Sequence, residues 1–328
     1  MRILVTGGAG FIGSHYVRAV LADRYPRAAG ARVTVLDKLT YSGNLANLPA
    51  GAERLEFVHG DICDADLLRD LLPGHDSIVH FAAESHVDRS VTRAADFVRT
   101  NVVGTQVLLD CARHSGVQRI VHVSTDEVYG SIPSGSWTET WPLEPNSPYA
   151  ASKAASDLVV RSAWRTHGMD VSITRCCNNY GPYQHPEKLI PLFVTNLLEG
   201  RPVPLYGDGH NVREWLHVDD HCRAVEAVRV QGRAGEVYNV GGGVERTNLE
   251  LTHELLRLCG ADASAIRRVT DRPGHDDRYS LDGTKIREEL GFEPEVPFER
   301  GLRETVDWYR DNPGWWKDVK RGTAEVDR

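Results

Sequence analysis

The chain has no stretch of roughly 18 apolar residues, and it enters a strand-like run at Met1 to Val5 with no charged and apolar leader ahead of it. Neither a membrane span nor a secretory signal is expected. Cysteine is sparse and scattered: Cys63, Cys111, Cys176, Cys177, Cys222 and Cys259 contain no Cys-x-x-Cys pair. A disulfide framework and a cysteine zinc site are thereby excluded, and a reduced, cytoplasmic protein is predicted. His80, His86 and His275 lack helical ligand spacing with an acidic third, so no metal is expected. Excess positive charge is missing as well. A net charge of −8 and a pI near 6.0 argue against a nucleic-acid stripe or a polybasic membrane anchor. An anionic small-molecule partner would need local cationic pockets. Lysine is rare, six of the 38 basic residues, the rest being the arginines whose planar fork suits phosphate. With 41% apolar, 26% charged and 8% aromatic residues, the composition is that of a globular protein and not of a disordered, collagen-like or coiled-coil chain.

What is present is a rhythm. The 328 residues allow about two domains. Apolar runs at Ile3 to Val5, Val33 to Leu36, Leu55 to Val58, Ser77 to Phe81, Ile120 to Val123 and Val171 to Thr174 alternate with helical patterns at Phe11 to Leu21 and near 64–72, 93–115 and 148–167. Runs without polar alternation suit strands covered on both faces, and strand-helix alternation gives a doubly wound parallel α/β sheet of Rossmann type. Beyond about residue 175 prolines crowd in and the rhythm loosens. Residues 1–175 are therefore expected to form a dinucleotide-binding domain, with a returning segment near 210–240, and residues 176–328 a smaller α/β lobe for substrate.

Gly7, Gly10 and Gly13 follow the first strand and open the first helix. At that place glycines permit a tight turn, close approach of backbone to pyrophosphate and close helix packing, while the helix N-terminus presents N–H groups. The second strand ends in Asp37, about 24 residues after Gly13, where a carboxylate can bond ribose hydroxyls. Asp37 would repel a 2′-phosphate, which favours NAD over NADP. Asp61 and Ile62, after the third strand, are placed against the adenine.

Ser147 and Pro148 read as the N-cap and first residue of a helix that carries Tyr149 and Lys153 four apart, on one face. A nearby cation and the helix N-terminus are expected to lower the tyrosine pKa toward that of a working base. With the glycine turn, this pair resembles the extended short-chain dehydrogenase/reductases, many of which act on nucleotide sugars. That resemblance implies that Tyr149 takes a proton from a sugar hydroxyl while Lys153 also holds the nicotinamide ribose.

Asp126 and Glu127 stand at the carboxyl end of the strand Ile120 to Val123, where ligands of open α/β sheets bind. A simple dehydrogenase needs no such pair, but a second proton transfer does, since neighbouring carboxylates can divide into an acid and a base. The segments Ser124 to Gly130, Phe81 to Asp88, Asn178 to Tyr183, Glu187 to Pro191 and Arg272 to Asp276 together resemble the dTDP-glucose 4,6-dehydratases, a likeness running from Met1 to about Trp316. It implies oxidation at C4 with Tyr149 as base, removal of the C5 proton by Glu127, protonation of the departing 6-hydroxyl by Asp126, and hydride return to C6. Thr125 would bond the sugar near its 4-hydroxyl. The same resemblance puts Gly7, Gly10, Phe11, Ile12, Gly13, Asp37, Lys38, Leu39, Thr40, Asp61, Ile62, Phe81, Ala82, Ala83, Glu84, Ser85, Thr100, Tyr149, Lys153 and Asn179 on NAD. It puts Ser85, Thr125, Asn178, Lys188, Leu189, Pro204, Leu205, Tyr206, Arg213, Asn248, Asp271, Arg272, Pro273, Gly274 and His275 on the nucleotide sugar, and it implies a homodimer paired through the helices near 93–115 and 148–167. A CDP- or GDP-sugar dehydratase and a nucleotide-sugar 4-epimerase remain as alternatives, the latter opposed by the acid pair.

Overall fold

A computed structural model describes residues 1–272 and 274–326. The chain opens β1 (Arg2–Thr6), α1 (Phe11–Leu21), β2 (Arg32–Asp37), β3 (Leu55–His59), α2 (Ala65–Leu71), β4 (Ser77–His80), α3 (Val87–Thr92), α4 (Ala94–Phe97), α5 (Thr105–Ser115), β5 (Arg119–Thr125), α6 (Pro148–His167) and β6 (Val171–Cys176). It continues β7 (Asn178–Tyr180), α7 (Leu189–Leu198), β8 (Val203–Tyr206), β9 (Val212–His217), α8 (Val218–Gln231), β10 (Val237–Val240), β11 (Glu245–Thr247), α9 (Asn248–Cys259), β12 (Ile266–Val269), α10 (Thr284–Leu290), α11 (Phe298–Asp311) and α12 (Pro313–Val326).

Seven strands form one parallel sheet in the order β10-β6-β5-β4-β1-β2-β3, the doubly wound arrangement that the apolar runs predict. All seven residues of β5 are buried, which explains why that segment shows no polar alternation. One face packs on α1 and α8 through Val17, Val20, Val225 and Val228, and the other on α2, α5 and α6 through Leu68, Leu108 and Val160. A third core, built on Tyr180, Trp215, Leu255, Leu302 and Trp316, lies among α7, α9, α11 and α12. Two small sheets accompany it, β11-β9-β7 and β12-β8.

One expected element differs. The helix near 93–115 is α4, then a π-helical stretch Val98–Gly104, then α5. The widening surrounds Asn101, whose Oδ1 accepts from the Glu84 N–H at 2.9 Å while Nδ2 donates to the Glu84 carbonyl at 3.0 Å and to Ser152 Oγ at 2.8 Å. The side chain thus ties the loop after β4 to α6, and the backbone opens to let it do so.

Candidate active site

β1 has β2 on one side and β4 on the other, so the connections leave in opposite directions and a crevice opens at the strand ends. The glycine turn lines it. Gly7 has φ +70°, and a Cβ there would stand 2.5 Å from the Ala82 nitrogen. A Cβ at Gly13 would strike the Gly7 carbonyl, so only glycine lets α1 begin this close to β1. The cleft wall includes Gly7, Gly10, Phe11, Ile12, Gly13, Asp37, Lys38, Thr40, Asp61, Ile62, Phe81, Ala82, Ala83, Glu84, Ser85 and Thr100, and on the far side Tyr149, Lys153, Asn178, Asn179 and Lys188. Leu39 instead faces a neighbouring cavity beside Asn44, Asn47 and Trp315.

Asp37 is buried at the end of β2, where it accepts from the Ala9 N–H at 2.9 Å and the Leu39 N–H at 2.8 Å. Burial pushes its carboxyl up, and these two donors oppose the shift. Lys38, the cation nearest in sequence, is paired with Asp61 at 2.7 Å. A side-chain-free phosphate turn, a carboxylate at the ribose position and a lysine already engaged by an acid suit NAD better than its 2′-phosphorylated form.

α6 starts as its sequence predicts: Ser147 Oγ accepts from the Ala150 N–H at 3.1 Å and Pro148 holds the first helical position. Tyr149 and Lys153 both come to lie buried in the cleft. The expected lowering of the tyrosine pKa is not found. Burial, then the charge of Glu127, hold Tyr149 well above its ordinary value, with the Thr125 hydroxyl opposing. The cation assumed to act on the phenol is directed elsewhere, since Lys153 Nζ donates to the Val123 carbonyl at 2.8 Å and burial lowers its own pKa to about 8.

β5 delivers Thr125, Asp126 and Glu127 to the same cleft, the two acids opening the short 3₁₀ turn Asp126–Tyr129. Their environments differ. Asp126 is buried, its Oδ2 has no partner among the described residues, and burial followed by repulsion from Glu127 holds it well above the usual carboxylate range. Glu127 is raised by burial too, but the charges of Lys188, Arg272 and Arg213 pull it back. Burial thus raises both carboxyls, and nearby cations moderate the rise at Glu127 alone.

Of the remaining predicted residues, Lys188 lines the cleft, whereas Leu189, Pro204, Leu205, Tyr206, Arg213, Asn248, Asp271, Arg272, Gly274 and His275 are not among the residues of its wall. Lys188 Nζ donates to the Ser85 carbonyl at 2.8 Å, and Leu189 opens α7 behind it. Arg213 donates to the Asp276 carbonyl at 2.8 Å and lies 4.2 Å over the Tyr279 ring. Arg272 Nη1 reaches Asp88 at 2.9 Å while its Nε is buried without a partner among the described residues. Asn248, first residue of α9, likewise keeps a buried, unpartnered Oδ1. His275 Nδ1 meets Asp271 at 2.7 Å, and its ring stands edge-on to Tyr206, 6.2 Å away. Pro204, Leu205 and Tyr206 are on β8, and the Leu205 side chain is buried inward against Gly209. Gly274, at φ +67°, passes close to the Asn146 carbonyl. Pro273 lies outside the described residues.

Tyr41, Cys176 and His221 also line the cleft, and no sequence motif marks them as site residues. Tyr41 adjoins Thr40 on the cleft wall, and continuing the Arg272 to Asp276 motif by three residues reaches Tyr279, whose hydroxyl donates to Asp276 at 2.6 Å. His221 bonds Asn179 Oδ1 at 2.9 Å from within α8, a pairing no local spacing announces.

The doubly wound sheet, the glycine turn and a tyrosine-lysine pair on one helix define a dinucleotide-binding enzyme of the extended short-chain dehydrogenase/reductase superfamily. The chain belongs to the family described as GDP-mannose 4,6 dehydratase, whose sequence profile matches residues 4–305. It is 63% identical over 322 residues to a dTDP-glucose 4,6-dehydratase of Streptomyces niveus, covering 98% of this chain and 96% of the relative. The crystal structure of DesIV, a dTDP-glucose 4,6-dehydratase from Streptomyces venezuelae with NAD and dTDP bound, superposes with a TM-score of 0.96 at 67% identity, covering 97% of this chain and all of the other. The UDP-glucose 4-epimerase of Thermotoga maritima shares the fold at a TM-score of 0.88 and 33% identity over 95% of this chain and 100% of its own.

Proposed function

We infer that this chain catalyses the NAD-dependent 4,6-dehydration of dTDP-glucose to dTDP-4-keto-6-deoxyglucose and water, a carbon–oxygen lyase reaction. The observation that carries the reading is the pair Asp126 and Glu127 on the same cleft as Tyr149, both raised by burial but only Glu127 pulled back by nearby cations. An epimerase has no use for that division. Bound NAD supplies the hydride acceptor at C4, the donor at C6 and, while oxidised, a positive ring charge that opposes the burial of Tyr149.

Tyr149 takes the proton of the 4-hydroxyl, with Thr125 bonding the sugar beside it and Lys153 holding the cofactor ribose. A 4-ketone then makes the C5 proton acidic, and Glu127 removes it while Asp126 protonates the leaving 6-hydroxyl. Lys188, Arg213 and Arg272 provide the cations that an acidic protein needs for a diphosphate. Asn178, Asn248 and the segment from Asp271 to His275 complete the nucleotide site.

The domain reading stays 1–175 with a return near 210–240, supported by α8 and β10 packing on and into the large sheet. A homodimer is supported by Val98, Val103 and Leu158, apolar side chains about half exposed on the helices proposed to pair. In solution the particle should have twice the chain mass of 36.4 kDa. We place it in the cytoplasm; no described helix is long and apolar enough to cross a membrane.

The deciding experiment is incubation with dTDP-glucose, with CDP- and GDP-glucose as competitors, followed by the alkaline absorbance of a 4-ketosugar. Substrate deuterated at C4 should carry its label to C6 of the same sugar. Inversion at C4 without a ketone, or crossover of label between sugars, would overturn the reading.

A further inference from the structure

Three polar side chains around the start of α3, His86, Asp88 and Arg89, each reach residues far along the chain. His86 and Arg89 reach Glu187, at 3.6 Å and 2.6 Å. Asp88 receives Arg272 Nη1 on Oδ1 at 2.9 Å and the Tyr206 hydroxyl on Oδ2 at 3.3 Å. Tyr206 ends β8, and Arg272 follows the end of β12, the strand paired with β8 through Val269 and Tyr206. One carboxylate therefore holds the outgoing ends of both strands of the β12-β8 sheet.

We propose that Asp88 is a positioning residue, which aims the Arg272 guanidinium at the diphosphate of the nucleotide sugar by clasping the β8 and β12 ends to α3. The proposal rests on the substrate reading above. A guanidinium is planar, so fixing one nitrogen and the direction of its bond sets where the other donors point. Arg272 Nε is buried and has no acceptor within the described residues, a donor left for an oxyanion that the protein does not itself provide. The Arg272 charge also reaches Glu127, so the same carboxylate that orients the arginine fixes how far that charge stands from the reacting acid. Neither partner is deeply buried, the side chains of Arg272 and Asp88 being 24% and 38% exposed. An ion pair so placed adds little to folding stability, so its loss should be read in ligand binding rather than in unfolding.

Asp88→Asn keeps the shape and an oxygen for Tyr206 but removes the charge facing Arg272. It is expected to weaken dTDP binding about tenfold while leaving thymidine binding unchanged, because thymidine has no phosphate for Arg272 to meet. KM for dTDP-glucose should rise by a similar factor with kcat changed far less, and Asp88→Glu should recover part of the loss. NAD content and the unfolding midpoint, measured alongside, should match the parent's. Unchanged dTDP affinity, or equal weakening of dTDP and thymidine, would overturn the assignment. A parent protein that bound dTDP no better than thymidine would be a separate failure, that of the substrate reading itself.

Discussion

The cleft wall that receives the dinucleotide is mostly backbone, whereas the wall facing it is mostly long side chains. Gly7, Gly10 and Gly13 shape the first by having nothing to protrude, and β1, which leads into them, is buried along Ile3 to Thr6. Lys188, Arg213 and Arg272 shape the second, each steadied by a carbonyl or carboxylate from a distant part of the chain. A backbone site is written in local spacing and fails when atoms are added. A side-chain site is written in tertiary pairs and fails when charge is removed. Of the two acids that follow β5, Glu127 is raised by burial and pulled back by cations of the second wall, whereas Asp126 is raised by burial and by the charge of Glu127.

The sharpest contrast lies among the groups that meet at the junction. Tyr149→Phe keeps the ring and loses the proton acceptor, so turnover should fall by roughly 10² to 10⁴ with no reduced cofactor formed. Glu127→Gln should instead permit oxidation at C4 and stall there, seen as a rise in the absorbance of enzyme-bound reduced nicotinamide. Turnover near the parent's in the first variant, or no rise in the second, would mean that the two proton transfers are not divided between these residues. Next in size is the backbone wall. Gly7→Ala places a Cβ 2.5 Å from the Ala82 nitrogen at a positive φ, and the purified protein should hold NAD about a hundredfold more weakly. Full NAD occupancy in that variant would break the comparison on the cradle side.

How much of this was legible follows the same division. The cradle, the α6 cap at Ser147 and Pro148 and the tyrosine-lysine face are all set by neighbours within a few residues, and the sequence displays them. The π turn at Val98–Gly104 does not show, because Asn101 creates it by bonding Glu84 and Ser152, and Gly104 lies under Ile62. Nor could spacing reveal that Lys153 is held at the Val123 carbonyl and leaves Tyr149 to the effect of burial. Four residues on a helix fix a shared face; they do not fix which acceptor a flexible ammonium finds. The clasp on Asp88 is further still from view, for it joins positions 118 and 184 residues apart.

The smallest effect tests whether the side-chain wall sets the chemistry or merely grips the substrate. Burial raises the pKa of Glu127, and the charge of Lys188 is the largest of the cationic effects that lower it. In the proposed mechanism Glu127 must be ionised to remove the C5 proton, so kcat/KM should fall on the acid side as pH drops through its pKa in the free enzyme. Replacing Lys188 with Met takes away stabilisation of the ionised form alone; the Glu127 pKa therefore rises, and the acid limb should move to higher pH. The plateau above it will also drop if Lys188 helps hold the diphosphate, but a weaker grip lowers the whole profile without moving its bend. A limb displaced upward would show the substrate wall reaching into the ionisation of the base. A limb that stayed in place on a lowered plateau would confine Lys188 to binding and leave burial to set the charge on Glu127.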